Sequence, residues 1–264
     1  MVQLFESFGG PNARLMDVKI AYLHLALASQ ILGNSAEESV CYFEKATTWH
    51  AQHNQEQAWK SALDGKACLG KIVGVQDRAH MTCQLAETLA KIQKTNEGIE
   101  ILEEFTSQSQ MKGKALCLMK LGKLCVEQGL ASDAENYYKQ ALEVMDMQDN
   151  KDIFVILECR IGISKAIIMD NRVSEANTIL DEAYILAKKL HASLEKIYFV
   201  EDMGKFCENF GYIRRARECF DEVLRTYKEL SNVAKKPPFM EVSLELKLGK
   251  LAEKACAIAC LSRP

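Results

Sequence analysis

Apolar residues recur at intervals of three and four along almost the whole chain, the spacing typical of amphipathic α-helices. Proline, which costs about 3 kcal/mol inside a helix, is absent between residues 12 and 236. No alternating run of β-branched residues bounded by tight turns indicates a strand. The pattern predicts an all-α protein of about twelve helices, near 12–33, 35–52, 55–74, 77–93, 96–109, 112–129, 132–147, 151–169, 174–190, 193–210, 213–231 and 239–261.

Helix starts are predicted from capping residues. Ser35 and Ser132 each precede a glutamate by three residues, the spacing of a capping box in which both side chains bond free backbone N–H groups. Ser174 is predicted to start a third helix in the same way. Residues 232–238 contain paired lysines and paired prolines, and they are therefore predicted as a non-helical connector before the last helix.

Glycine recurs in one apolar context, at positions 70, 122, 162, 204 and 249, which are 52, 40, 42 and 45 residues apart. A glycine inside a helix costs about 1 kcal/mol relative to alanine, so its recurrence predicts that a second helix approaches closely at each site. In two stretches the glycine is followed, at offsets of 7, 12, 16 and 19, by a glycine, an alanine, an aromatic and a small apolar residue. These followers are Gly129, Ala134, Tyr138 and Ala141 after Gly122, and Gly211, Ala216, Phe220 and Val223 after Gly204.

These offsets resemble the consensus of the tetratricopeptide repeat (TPR), in which glycine, alanine and aromatic residues recur across two antiparallel helices. The resemblance is strong over 115–148 and 197–230 and weaker over 155–190, where about two extra residues are needed at the turn. Periods of about 40 residues indicate lengthened helices, similar to those of kinesin light chains, spindle-orientation adaptors and soluble NSF attachment proteins. The resemblance implies a right-handed α-solenoid of five to six helix pairs.

The repeat pattern predicts a single domain over 1–264, with degenerate repeats over 12–109 and the best-matching repeats over 112–231. Three helices are predicted within 55–109, so one of them has no assigned partner. The last helix, over 239–262, carries the first-helix signature without a second helix after it. It either caps the apolar end of the stack or marks a truncated repeat.

Charge and cysteine content narrow the class of function. Thirty-three basic and 36 acidic residues give a net charge of −3, which offers no broad positive field for direct nucleic-acid binding. Ten cysteines spread evenly along apolar stripes are typical of reduced core residues. The first ten residues lack the features of a secretory signal, and no stretch of about 18 uncharged apolar residues predicts a membrane span. We expect a cytoplasmic protein, with the nucleus as a second location.

No pattern of catalytic or metal-binding residues stands out. His50 and His53 are three residues apart but have no carboxylate or cysteine at ligand spacing, and Cys256 and Cys260 lack further ligands nearby. Phosphate-binding, dinucleotide-binding and hydrolase motifs are absent from the sequence. We therefore expect no enzymatic activity, no cofactor and no metal site.

The TPR resemblance implies a concave groove lined by the first helix of each pair. The residue after each repeat glycine would face this groove, and four of the five are lysine, the fifth being Ile163. This arrangement predicts a basic ladder for the acidic side chains or terminal carboxylate of a partner. A solvated helix face accounts for the lysines equally well, and packing against neighbouring helices is the favoured interpretation of Met119 and Cys159. The predicted groove residues are Lys71, Lys123, Lys205, Lys250, Leu116, Met119, Ile156, Tyr198, Glu201 and Glu208.

The functional hypothesis from the sequence is a scaffold or adaptor that holds a peptide or helix of a partner protein in this groove. The partner segment would be acidic or amphipathic. A second hypothesis is a structural subunit of a larger complex that uses its edges and convex faces. More remote alternatives are a peptide-sensing regulator and an enzyme built on a helical toroid.

Overall fold

The computed structural model describes residue 22 and residues 24–108, 111–149 and 151–234. Within these ranges the chain is helical and contains no strand. Residues 24–31 are helical, and ten further helices follow. They are α1 Ser35–Ala51, α2 Gln55–Leu69, α3 Val75–Lys91, α4 Thr95–Gln108, α5 Met111–Glu127, α6 Ala131–Asp146, α7 Ile153–Met169, α8 Val173–Lys188, α9 Leu194–Asn209 and α10 Ile213–Ala234.

The all-α prediction is confirmed, and each of these ten helices begins within two residues of its predicted start. Two helix ends differ from the prediction by more than two residues. Helix α2 ends at Leu69 instead of residue 74, because a glycine and two β-branched residues follow it. Helix α10 continues to Ala234, so the prediction of a non-helical connector over 232–238 was wrong for its first three residues. Pro237 restricts only the residue directly before it. The predicted helix over 239–262 lies outside the described residues.

The predicted capping residues were wrong, although the helix starts were right. Helix α1 is capped by Asn34, whose Oδ1 accepts a hydrogen bond from the Glu37 backbone N–H at 3.3 Å. Ser35 is instead the first helical residue. Helices α6 and α8 begin after Leu130 and Arg172, and neither residue makes a side-chain capping bond. Asparagine satisfies the same orphan N–H group as serine, which is why a start can be predicted without its cap.

Packing divides the chain between Val155 and Ile156 into two compact units. In unit 1, α1 pairs with α2, α3 with α4 and α5 with α6. Helix α2 is therefore the helix without an assigned partner in 55–109, and its partner is α1. In unit 2, α9 pairs with α10. Helix α7 joins α8 through Ser164, whose hydroxyl donates to the Ala176 carbonyl at 3.4 Å.

Each of these five pairs turns at one residue with a left-handed backbone. The turn residues are His53, Gln93, Gly129, Asn171 and Gly211, with φ between 59° and 78°. Seven residues earlier, the first helix carries a small buried residue at what we call the contact position: Ala46, Ala86, Gly122, Ser164 and Gly204. Five residues after the turn residue, the second helix also carries a small buried residue: Ala58, Gly98, Ala134, Ala176 and Ala216. Small side chains at both positions let the two helix backbones approach closely.

The predicted close approach is confirmed at Gly122 and Gly204. A Cβ on Gly122 would lie 2.8 Å from the Tyr138 ring, and one on Gly204 would lie 3.1 Å from the Phe220 ring. The prediction was wrong for Gly70, which lies at the exposed end of α2 with only a backbone oxygen at 3.9 Å. Gly162 is buried, but Ser164, two residues later, occupies the contact position of its pair. Gly249 lies outside the described residues.

One hydrophobic cluster joins helices α1, α2 and α3 of unit 1. Its buried members come from α1, α2 and α3 and from the residues that follow α2 and α3: Phe43, Ala46, Ala58, Ala62, Leu69, Ile72, Leu85, Leu89 and Ile92. The eight cysteines in the described ranges are all buried free thiols, consistent with their predicted place in the core. None of the helices in those ranges is both long and apolar enough to cross a membrane.

A buried ion pair joins three helices of unit 2. Lys196 Nζ lies 2.8 Å from Glu222 Oε1, and the two residues are 5% and 4% exposed. Lys196 also donates to the carbonyls of Lys188 and Leu190, at 3.4 and 3.2 Å, where α8 leaves acceptors free. Burial acts to raise the pKa of Glu222, but hydrogen bonds from Arg225 and Lys196 outweigh it and hold this pKa below its usual value. Nothing in the sequence pattern predicted this pair.

Candidate functional site

The first helix of each pair turns one face toward solvent. On α3 this face carries His80, Gln84 and Glu87, while Leu85 and Leu89 lie on the opposite side and are buried. The separation follows from the advance of about 100° per residue around a helix. We call the corresponding exposed or half-buried residues the first-helix surface. It comprises Glu87, Leu116, Lys120 and Lys123 in unit 1, and Lys165, Tyr198, Glu201, Asp202, Lys205 and Glu208 in unit 2.

In unit 1 this surface is organised around one carboxylate. Lys120 of α5 forms a short ion pair with Glu87 of α3, and Lys123 Nζ lies 4.0 Å from the same Glu87 oxygen. The Lys120 side chain is mostly buried, whereas that of Lys123 is 45% exposed. Glu87 therefore joins two adjacent first helices, and Lys123 remains the more accessible of the two cations.

In unit 2 the surface combines two ion pairs with an exposed aromatic ring. Lys165 Nζ of α7 lies 3.0 Å from Asp202 Oδ2 of α9, and Lys205 Nζ lies 2.7 Å from Glu201 Oε1 one turn away. Tyr198, one turn before Asp202, is 66% exposed. Because all four charged side chains remain partly accessible, their pairs can open and exchange with charges on a partner.

Comparison with solved structures identifies the architecture. BtubC (BKLC) from P. vanneervenii has a TM-score of 0.60 and 13% identity, with 84% of this chain and 94% of that chain covered. A variant of a putative kinesin light chain from Podosopora anserina, with nearly identical TPR-like repeats, has a TM-score of 0.52 and 15% identity over 72% of this chain and 95% of that one. The chain has a TPR-like fold. No family model and no curated protein matches the sequence.

The TPR-like register places the predicted basic residues differently from the sequence analysis. The residue after each contact position is Thr47, Glu87, Lys123, Lys165 or Lys205. Lys71 lies in the turn after α2, 3.8 Å from Glu38, and so is not on a first helix. Ile163 is buried, because Ser164 and not Gly162 is the contact residue of its pair. Lys250 lies outside the described residues.

The predicted apolar groove residues divide by exposure. Tyr198 is exposed, and Leu116 and Ile156 are half-buried. Met119 is 4% exposed and Cys159 is fully buried, so these two side chains pack between TPR-like helices and do not line an open surface. Glu201 and Glu208 are half-buried.

Sequence reasoning missed three charged residues of this surface: Glu87, Lys120 and Lys165. Lys165 follows the contact position in the observed register, and the glycine pattern misses it because Gly162 lies two residues before that position. Glu87 also follows a contact position, but alanine occupies that position instead of glycine. A search for small residues in general, seven residues before a turn, would have found both.

The described residues show no group of three potential metal ligands close together. Burial raises the pKa of Cys125 to about 11 and that of Cys159 further, which disfavours the reactive thiolate. A hydrogen bond with Cys219 lowers the pKa of Cys207, and both residues are fully buried.

Proposed function

We propose that this protein is a scaffold that binds a segment of a partner protein on its first-helix surface. The exposed ring of Tyr198, set among the charged residues of α7 and α9, carries this proposal. Burial of a solvated aromatic ring against a partner contributes favourable binding free energy at low cost in side-chain entropy. Tyrosine is therefore common among the residues that dominate binding. Its flanking ion pairs would supply orientation and selectivity.

The partner segment is inferred to be amphipathic, with both acidic and basic side chains. Lysines alternate with carboxylates on the first-helix surface of each unit, so a purely acidic peptide would meet repulsion from Glu87 or from Glu201. An apolar side chain of the partner would cover Tyr198. The TPR-like fold supports this role because stacked helix pairs present extended binding surfaces.

A structural subunit that contacts its neighbours through second helices is the second candidate. Ile185 on α8 supports it, since this aliphatic side chain is 56% exposed on a second helix. Exposed aliphatic residues also occur singly on monomeric proteins, so this observation is weaker than that at Tyr198.

Site-specific photocrosslinking distinguishes the two candidates. The photoreactive residue p-benzoylphenylalanine replaces Tyr198 in one variant and Ile185 in another, and each is expressed in the native cell. Both positions are exposed, so each variant reports on one of the two candidate interfaces with the same photochemistry. We expect a discrete crosslinked partner from position 198 that is competed by untagged wild-type protein. Crosslinking from position 185 alone would contradict the scaffold proposal and favour the structural subunit.

We further propose that the protein acts in the cytosol or nucleus and without catalysis. The buried free thiols of the described residues support a reducing compartment, where such thiols stay unpaired. Fractionation of cells that express the full chain tests the location. An assay of reduced and oxidised thiols in the isolated protein tests the redox state.

A further inference from the structure

Two adjoining cavities lie in unit 1 between the second helices α2 and α4. Residues from the side of α3 opposite to its solvent face also line them. Their volumes are about 360 and 240 Å³, and both are lined in part by Lys66 and Ile101. Together they form what we call the second-helix groove. The centres of the two cavities are about six residues apart along α2, which is about 9 Å at 1.5 Å per residue.

This groove is separate from the first-helix surface. Arg78, Thr82 and Leu85 of α3 line the groove, whereas Gln84 and Glu87 lie on the solvent face of the same helix. The two faces are about half a turn apart around the helix. A ligand in the groove would leave the lysines around Glu87 untouched.

The larger cavity is built to receive a negative charge. Arg78 and Lys66 line it with a single carboxylate, Glu104, and within the described ranges neither cation has an acidic side chain at ion-pair distance. The Arg78 guanidinium lies 5.9 Å from the centre of the Phe105 ring, and its Nε is buried without a hydrogen-bond partner. A carboxylate ligand in this cavity would form a charge-assisted contact with the Arg78 guanidinium.

The smaller cavity is apolar at its base and aromatic at its wall. Leu85 and Leu89 lie at its base, and the side chains of Trp59 and Leu63 border it from α2. Lys94 Nζ lies 5.4 Å from the centre of the Trp59 ring and pairs with Glu97. Glu100 and Lys66 also line this cavity, so its charges are of both signs and the acidic anchor belongs at Arg78 in the larger cavity. The smaller cavity suits an aliphatic or aromatic side chain.

We propose that the second-helix groove binds an extended peptide segment of a partner protein, with an acidic side chain at Arg78 and an apolar side chain at Trp59. An extended chain advances about 3.3 Å per residue, so the two anchors would be about three residues apart. A single small carboxylate would fill only one of the two cavities. A peptide segment that carries both anchor side chains would occupy both cavities. This site does not depend on the first-helix surface and gives the protein a second place to hold a partner.

Selection of peptides tests this proposal on the full chain. A displayed library of random linear peptides is selected on the wild-type protein, and the affinities of enriched peptides are measured by fluorescence anisotropy. We expect peptides with an aspartate or glutamate about three residues from an aliphatic or aromatic residue. Replacing that acid by its amide should weaken binding at least about tenfold, as expected for loss of a charge-assisted hydrogen bond.

Two variants of the chain locate the peptide. Arg78→Gln should weaken the same peptides at least about tenfold, while Lys123→Glu on the first-helix surface should change their affinity by less than about twofold. Circular dichroism and the urea midpoint verify that each variant is folded, and the amide-for-acid peptides test the site without altering the protein. The proposal would be overturned if no enriched peptide required both its own acid and Arg78, or if Lys123→Glu weakened the Arg78-dependent peptides equally. Self-association of the wild-type chain that Arg78→Gln abolishes would overturn it in favour of a second copy as occupant.

Discussion

The pairs α1/α2 and α5/α6 of unit 1 reach the same close approach with the roles of their helices exchanged. In α5/α6 the glycine is on the first helix and the aromatic ring on the second, as Gly122 against Tyr138. In α1/α2 the ring is on the first helix and the glycine on the second, where a Cβ on Gly65 would lie 2.5 Å from the Phe43 ring. The packing requirement is thus one bulky and one absent side chain at an interface, and it does not fix which helix carries which.

The turns of these two pairs also differ. His53 has a φ of 59° between α1 and α2, whereas Gly129 has a φ of 78° between α5 and α6. A left-handed backbone is costly for histidine and almost free for glycine. The pair that departs from the glycine-first pattern therefore also holds a strained turn, and four substitution experiments measure how far the two pairs are equivalent.

Truncation of the two rings should have the largest effect. Phe43→Ala and Tyr138→Ala should each lower the free energy of unfolding by about 3–5 kcal/mol, because both rings are buried and leave cavities. Urea unfolding followed by circular dichroism measures the loss. Tyr198→Ala, at an exposed ring, is the matched control and should cost less than about 0.5 kcal/mol. A much smaller loss for Phe43→Ala than for Tyr138→Ala would show that the exchanged interface is not equivalent.

Filling the glycine sites should have the next largest effect. Gly65→Ala and Gly122→Ala should each destabilise the chain by about 1–3 kcal/mol, since the added methyl group meets a buried ring. Gly70→Ala is the control: its site is open and its φ is −63°, so the change should lie within about 0.5 kcal/mol of zero. The same unfolding assay applies. Equal effects at positions 65 and 70 would contradict the proposed contact.

Double-mutant cycles should assign each glycine to its ring. Phe43→Leu with Gly65→Ala, and Tyr138→Leu with Gly122→Ala, should be more stable than additivity predicts by about 0.5–3 kcal/mol. The smaller leucine leaves room for the new methyl group. The crossed combination of Phe43→Leu with Gly122→Ala shares no such contact and should be additive within about 0.5 kcal/mol. Coupling in the crossed pair would mean that the substitutions act through general loosening of unit 1.

Substitution of the turn residues should have the smallest effect on the free energy of unfolding, with opposite signs in the two pairs. His53→Gly should raise the free energy of unfolding by about 0.5 kcal/mol, because relief of the left-handed backbone exceeds the entropy cost of glycine. Gly129→Ala should lower it by about 1 kcal/mol, and no atom lies within 4 Å of the added methyl group, so only backbone strain contributes. Thermal unfolding at matched pH compares them. Changes of the same sign would exclude backbone strain as the cause.

The sequence was sufficient to predict the helices but not to predict which residues lie at the contact positions between them. Helical periodicity predicted the ten helix starts because the apolar face of each helix is a local property of its own residues. The contact positions were predicted only where glycine occupies them. Where Ala46, Ala86 or Ser164 takes that place, the single-residue search failed, and it selected Gly70 and Gly162 in their stead.

The candidate surfaces show the same limit. Lys123, Lys205 and Tyr198 could be placed on first helices from the glycine register alone, whereas Lys165 and Glu87 required the observed pairing. The groove at Arg78 gave no sequence signal, because its lining comes from three helices and from residues that differ in type.

The amino-acid sequence by itself determined an all-α chain of paired helices, since helical period, capping groups and the absence of proline act within a few residues. Only the tertiary structure decided which helices form pairs, at which glycine an aromatic ring packs, and which charged side chains form ion pairs. Those outcomes depend on complementary shape and on atoms distant along the chain. Phe43 against Gly65 and Lys196 against Glu222 are two such outcomes, and each is fixed by packing that no single segment encodes.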